Sequence, residues 1–159
     1  MSTDIVLSRA AFDLILANLV RLEERTEEIL QQFFPTPSRE RAETIRLIDQ
    51  YLTELERILG SVAVRDGASS EFPYAVIGAQ VTLQELSGPE LFTHRLINPL
   101  DEQVDFADVS FLSPMGRAML LKRRGDRVTV AAPGGVYAYQ ICSVTMAAER
   151  TPQPEQVRA

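Results

Sequence analysis

Cysteine occurs once, histidine once and tryptophan not at all in the 159 residues of this chain. The single Cys142 excludes an internal disulfide framework, and one Cys with one His leaves zinc ligation and cysteine-nucleophile chemistry without the companions they need. His94 and Cys142 are therefore expected to be structural, the latter as a small apolar core residue. An excess of positive charge is missing as well: the formal net charge is −6, divided as −5 over residues 1–73 and −1 over residues 74–159. With neither half basic, direct sequence-specific binding to nucleic acid is not expected, because such affinity comes largely from Lys and Arg set against phosphates. Long apolar runs are absent too. Leu14 to Val20 is broken by Asn18 and is too short to span a bilayer, and the opening MSTDIVLSRAAF has no basic segment followed by the apolar run of a secretory leader. A cytoplasmic protein with no membrane role is the expectation, and its 45% of hydrophobic residues suffice for a core.

What the chain does have is periodicity. After Ser8, a candidate N-cap, the residues Phe12, Ile15, Leu19, Leu22, Thr26, Ile29 and Phe33 follow one another at spacings of three and four. Thr36-Pro37 offers a cap followed by a proline at the first helical position, and Ile45, Ile48, Leu52, Leu55 and Leu59 repeat the spacing up to Gly60. Two such seams joined by a few residues predict an antiparallel α-helical hairpin, a short coiled coil over residues 1–64, with FFPTPS at its tip. Residues 65–73, RDGASSEFP, collect turn formers without periodicity and read as a linker. Beyond them the period changes to two. VIGAQVTLQEL and LFTHRLIN read as a strand hairpin around SGPE, DVSFLS as a third strand, SPMGRAMLL as a capped short helix, and RVTV with VYAYQICSVTM as strands around the turn PGG. The reading is α+β: the hairpin, a mostly antiparallel sheet domain over 74–148 with one short helix, and a polar, proline-containing tail over 149–159 expected to be disordered.

At SPMGRAMLLKRRGDRVTVAAPGG the chain resembles the C-terminal domain of the bacterial Gre transcript-cleavage factors, GreA and GreB. Their signature is similar to Ser-Pro-hydrophobic-(Ala/Gly)-Arg-Ala-Leu-Leu, a basic stretch, Gly-Asp-x-Val-x-Val and Pro-Gly-Gly. Here it stands as Ser113, Pro114, Met115, Gly116, Arg117 and Ala118, then Gly125, Asp126, Val128, Val130 and Pro133 to Gly135. The likeness covers residues 75–147, including FTHRLIN; over residues 5–60 it is one of architecture, with TELERIL ending the second helix. It implies an FKBP-like domain that docks on the rim of RNA polymerase, through Ser113, Pro114, Met115 and Arg117, while the hairpin enters the secondary channel. It also implies that two acidic residues at the tip hold a catalytic Mg²⁺ and its water for a two-metal attack carried out by the polymerase. The sequence departs from the family at Leu112 and Leu121, and its hairpin is shorter by about two helical turns at 3.6 residues per turn.

The tip departs furthest, since FFPTPS contains no acid. Glu40 and Glu43 are the carboxylates nearest to it. They are three residues apart and could approach one ion, although acids in the first turns of a helix also simply favour its dipole, and Arg39 and Arg41 offer them ion pairs. Phe33 continues the seam as a core residue; Phe34, with Pro35 and Pro37 stiffening the bend, either caps the hairpin or meets a partner. The basic run KRRGDR, Lys122 to Arg127, either complements the end of the short helix or contacts an acidic face of polymerase or nucleic acid inside the complex. The expected function is a polymerase-binding elongation regulator of the Gre family that occupies the secondary channel without the cleavage acids: not an enzyme, with no cofactor or resident metal of its own. Alternatives are a true transcript-cleavage factor using Glu40 and Glu43, a protein similar to Rnk, the regulator of nucleoside diphosphate kinase, and, from another class, an FKBP-like prolyl isomerase.

Overall fold

A computed structural model of the chain describes residues 5–101 and 107–146. In chain order the elements are β1 (Ile5–Leu7), α1 (Arg9–Phe33), α2 (Arg39–Leu59), β2 (Val62–Val64), β3 (Gln80–Glu85), β4 (Leu91–Ile97), β5 (Asp108–Ser110), α3 (Pro114–Met119), β6 (Arg127–Ala132) and β7 (Gly135–Thr145). This is the α+β arrangement the periodicities predict. The tail over 149–159 lies outside the described residues, and no helix among those described is long and apolar enough to cross a membrane.

Both long helices start at serine caps. The Ser8 hydroxyl accepts from the Ala11 N–H at 3.1 Å, as the sequence suggests. The start of α2 is two residues later than Thr36-Pro37 indicates, because the Ser38 hydroxyl accepts from the Arg41 N–H at 3.0 Å and so takes the cap itself. At 1.5 Å per residue, the 25 residues of α1 and 21 of α2 extend about 37 and 31 Å. A pair of three-residue strands closes their base: β1 runs parallel to β2, pairing Ile5 with Val62 and Leu7 with Val64. Strands this short carry no readable period, and the sequence reading placed them inside the helical segment.

The helices do not bury quite the seams that simple pairing requires. On α2 the buried line is Thr44, Ile48, Tyr51, Leu55 and Ile58, with Ile45 left 37% exposed and Leu52 and Leu59 only partly covered. On α1 it is Ala11, Ile15, Leu19, Leu22, Ile29 and Leu30, so Phe33 is not in the core but 40% exposed. The cause is a third surface: the helices pack on the sheet domain as well as on each other, and the apolar stripe is turned to serve both.

The five-stranded sheet has the order β5-β4-β3-β7-β6. Three neighbour pairs are antiparallel and β4–β5 is parallel. Its inner face carries Val81, Leu83, Leu96, Ile141 and Val144, which join Phe72, Phe111, Met119 and the helix residues Ile15, Leu22 and Leu55 in one continuous core. Between β3 and β7 the register shifts: Leu83 pairs with Ile141 and Thr82 with Ser143. Cys142 is the extra residue of this bulge and is exposed, which corrects its reading as a core residue. The stretch 65–73 runs along the end of β7, where the Phe72 N–H donates to Val144 and the Met146 N–H to Ser70, and Phe72 itself is buried.

Two of the contacts that fix the hairpin against the sheet domain lie at Ile77 and Gly78, just before β3. The Ile77 N–H donates to the hydroxyl of the buried Tyr51 at 2.9 Å, and burial holds that phenol well above its usual pKa. Gly78, at φ +97°, lies under Asn18, where an added Cβ would stand 2.5 Å from the amide nitrogen. Replacing Tyr51 with Phe leaves the Ile77 N–H without its acceptor and should cost about 1–3 kcal/mol in a denaturant titration. Gly78→Ala meets both the left-handed backbone and the Asn18 side chain, and is expected to lower the unfolding temperature; Asn18→Ala in the same chain should recover the steric part only.

Candidate functional site

Two regions carry the residues singled out from the sequence. The first is the tip. The Phe34 carbonyl receives Nη1 of Arg41 at 2.9 Å, which ties the end of α1 to the first turn of α2. Arg41 thus acts on the tip backbone. Phe34 is half-buried, while Pro35, Pro37 and the preceding Phe33 are exposed, so the aromatic presented most openly is Phe33. Glu40 and Glu43 are both exposed on α2. No cluster of three or more His, Cys, Asp or Glu suited to a metal ion occurs among the described residues.

The second region is the turn from β5 into α3. Ser113 is saturated: its hydroxyl donates to the Ser110 carbonyl at 2.7 Å and accepts from the Gly116 N–H at 3.0 Å. Pro114 occupies the first helical position and is exposed, whereas Met115 is partly buried against the core. Gly116 lets the helix rest on the strand end; a Cβ there would fall 1.9 Å from the Ser110 carbonyl oxygen. Arg117 is committed internally. Its Nε donates to the Leu112 carbonyl at 3.2 Å, and its Nη2 donates to the hydroxyl of Thr44 on α2 at 3.3 Å. The turn therefore offers a partner mainly Pro114, flanked by Leu112 and Met115.

Sequence reasoning missed this clasp between α3 and the hairpin. Thr44 was legible in principle, because it lies on the same helical line as Ile48, Tyr51 and Leu55, and a threonine there asks for a polar partner. His94 stands on β4 with Nδ1 3.2 Å from the Ala107 carbonyl; burial lowers its pKa and so favours the neutral ring, against the pull of that carbonyl.

Residues 73–146 match the family model described as transcription elongation factor GreA/GreB, C-terminal. Residues 73–146 thus match the C-terminal domain of the Gre family. Among curated relatives, the transcription elongation factor GreA of Desulfotalea psychrophila is 32% identical over 98 residues, covering 62% of this chain and 61% of the relative. GreA of an Anaeromyxobacter species is 30% identical over 105 residues, 66% of this chain and 63% of the relative. The chain thus spans a little over three fifths of the length of these relatives. A solved GreA/GreB factor from Nitrosomonas europaea is 24% identical, with 91% of this chain and 99% of that one covered at a TM-score of 0.46. The relatives' name corrects one expectation. GreA is the class that the sequence resemblance ties to transcript cleavage, and the match to relatives of that name contradicts the expectation of a chain that is not an enzyme.

The clasp yields a direct test. Thr44→Val keeps the volume and removes the acceptor, and should cost up to about 1 kcal/mol of stability. Amide exchange in the first turns of α2 should quicken while that of the β-sheet stays unchanged.

Proposed function

We propose that this chain is a Gre-family, RNA polymerase-binding elongation regulator of the cytoplasm. Its domain over 74–148 docks on the rim of the secondary channel through Ser113, Pro114, Met115 and Arg117, and the hairpin over 1–64 points its tip into the channel. The observation that carries the reading is the family match over residues 73–146, which includes the whole of the turn from β5 into α3. Ser113 and Arg117 serve docking by holding the backbone of that turn and fixing it to α2, and Pro114 makes the contact. The tip, Phe34 to Ser38, brings no carboxylate to the polymerase active centre. Its reach is short as well: only five residues, roughly 8 Å of helix, separate Thr44 from the start of α2. A plug of aromatic and proline side chains at the channel mouth restrains the polymerase.

A second reading rests on Glu40 and Glu43, both exposed and one helical turn apart, which could share a divalent ion carried by the polymerase. The same assay separates the two. The protein should co-purify with core RNA polymerase at moderate salt, and Pro114→Glu should weaken that retention; failure of the unaltered protein to be retained would refute docking. Added to backtracked complexes, it should leave the RNA length unchanged. RNA shortening that vanishes in Glu40→Ala, Glu43→Ala would establish the second reading in place of the first.

A further inference from the structure

The run Lys122 to Arg127 holds four cations and one acid in a chain whose net charge is −6. The structure makes it a fixed platform. Leu121, at φ +62°, donates its N–H to the Ala75 carbonyl, and the Ala75 N–H donates to Lys122. The Arg124 N–H donates to Pro73 and the Gly125 N–H to Ile141, while the Asp126 carboxylate accepts from the Arg123 N–H at 2.8 Å. The one acid of the run is therefore engaged by the loop backbone. Lys122, Arg123, Arg124 and Arg127 are all exposed. The Arg123 guanidinium lies over the ring of Tyr74 at 5.4 Å, and Nη1 of Arg124 approaches Oε1 of Glu71 at 3.4 Å, a solvent-exposed pair of little net worth.

We infer that this loop is a binding surface for the phosphate backbone of a nucleic acid, engaged by charge and without regard to sequence. Two observations favour a nucleic acid over an acidic protein segment. Three of the four cations are arginines, whose planar donor forks match phosphate oxygens. In addition, none of the large exposed hydrophobic residues, Leu16, Val20, Phe33, Ile45, Leu86, Leu91, Val136 and Tyr137, belongs to the loop or to the stretch 73–75 that holds it, whereas a protein interface needs an apolar centre depleted of charge. A rigid loop also loses little backbone freedom on binding. The inference does not depend on docking to polymerase and is tested on the isolated chain.

Fluorescence anisotropy with an unstructured single-stranded RNA of about twenty nucleotides should show saturable binding at low salt, with a DNA strand of the same length binding comparably. With four phosphates neutralised at about 0.7 counterion each, a four-fold rise in salt should weaken binding roughly fifty-fold. The triple variant Lys122→Ala, Arg124→Ala, Arg127→Ala should lose most of the affinity at an unchanged unfolding temperature, Arg9→Ala, Arg46→Ala should lose none, and Glu71→Gln should bind more tightly by removing the competing carboxylate. Absence of binding at low salt, equal binding by the triple variant, or equally tight capture of polyglutamate would overturn the inference; the last would assign the loop to an acidic protein segment.

Discussion

The hydroxyl of Tyr51 accepting the Ile77 amide is the contact on which the rest of the molecule depends. It is buried at the point where three elements meet: the middle of α2, the extended stretch that leads into β3, and the floor of the sheet. An amide buried in such a place without a partner is costly, so the tyrosine fixes both the rotation of α2 about its axis and its height along the sheet. With α2 so placed, Thr44 comes under Arg117 one way along the helix, and Leu55 and Ile58 come against the core the other way. Asn18 above Gly78 applies the same constraint to α1. The hairpin is thus one wall of a common core, with only its last turns and its tip standing clear.

That arrangement changes what the residues of the family signature do. Arg117 lies in the stretch expected to meet a partner, yet its guanidinium joins the Leu112 carbonyl to Thr44, and Ser113 has spent its hydroxyl on the Ser110 carbonyl and the Gly116 amide. Such side chains determine the shape of the turn; Pro114, at the first position of α3, is what the turn shows to the outside. A signature of this kind specifies a backbone conformation at least as much as a set of contacts. Glycine at position 116 belongs to the same design, because the helix could not lie on the strand end with a side chain there.

Much of the fold was legible because each long element repeats one period long enough to be recognised. The 3-4 spacing gave both helices, the alternation in AQVTLQ gave β3, and Ser8 and Ser113 marked helix starts through a chemistry that needs no tertiary context. The misreadings have two causes. The seam through Ile45, Leu52, Leu59 and Phe33 was inferred as if each helix had a single neighbour; on α2 the second packed surface keeps Ile48 and Leu55 and replaces the others by Thr44, Tyr51 and Ile58, a turn of the stripe by about half a residue, roughly 50° at 3.6 residues per turn. Cys142 would share the inward face of Val144, two residues on, only if the strand were regular, and the bulge beside Leu83 has no local signal. For the site, the sequence located the turn around Pro114 and the tip prolines, but the pairing of Arg117 with Thr44 joins residues 73 positions apart and cannot be seen in either neighbourhood.

The charges divide the molecule along the hairpin axis. The segment before residue 74 carries −5, much of it on the outward faces of the helices, whereas the basic loop lies near the hairpin base, where Tyr74 lies close to Arg57 in the last turn of α2. The ends of α2 are about 31 Å apart, several screening lengths at physiological salt, so Glu40 and Glu43 in its first turns are screened from Glu54 and Glu56 in its last. Glu71 faces the loop directly, through its pair with Arg124. The tip from Phe34 to Ser38 is itself uncharged and is held by Arg41 through its backbone. The loop at the base, stiffened by its own amides, suits a charged strand that passes outside.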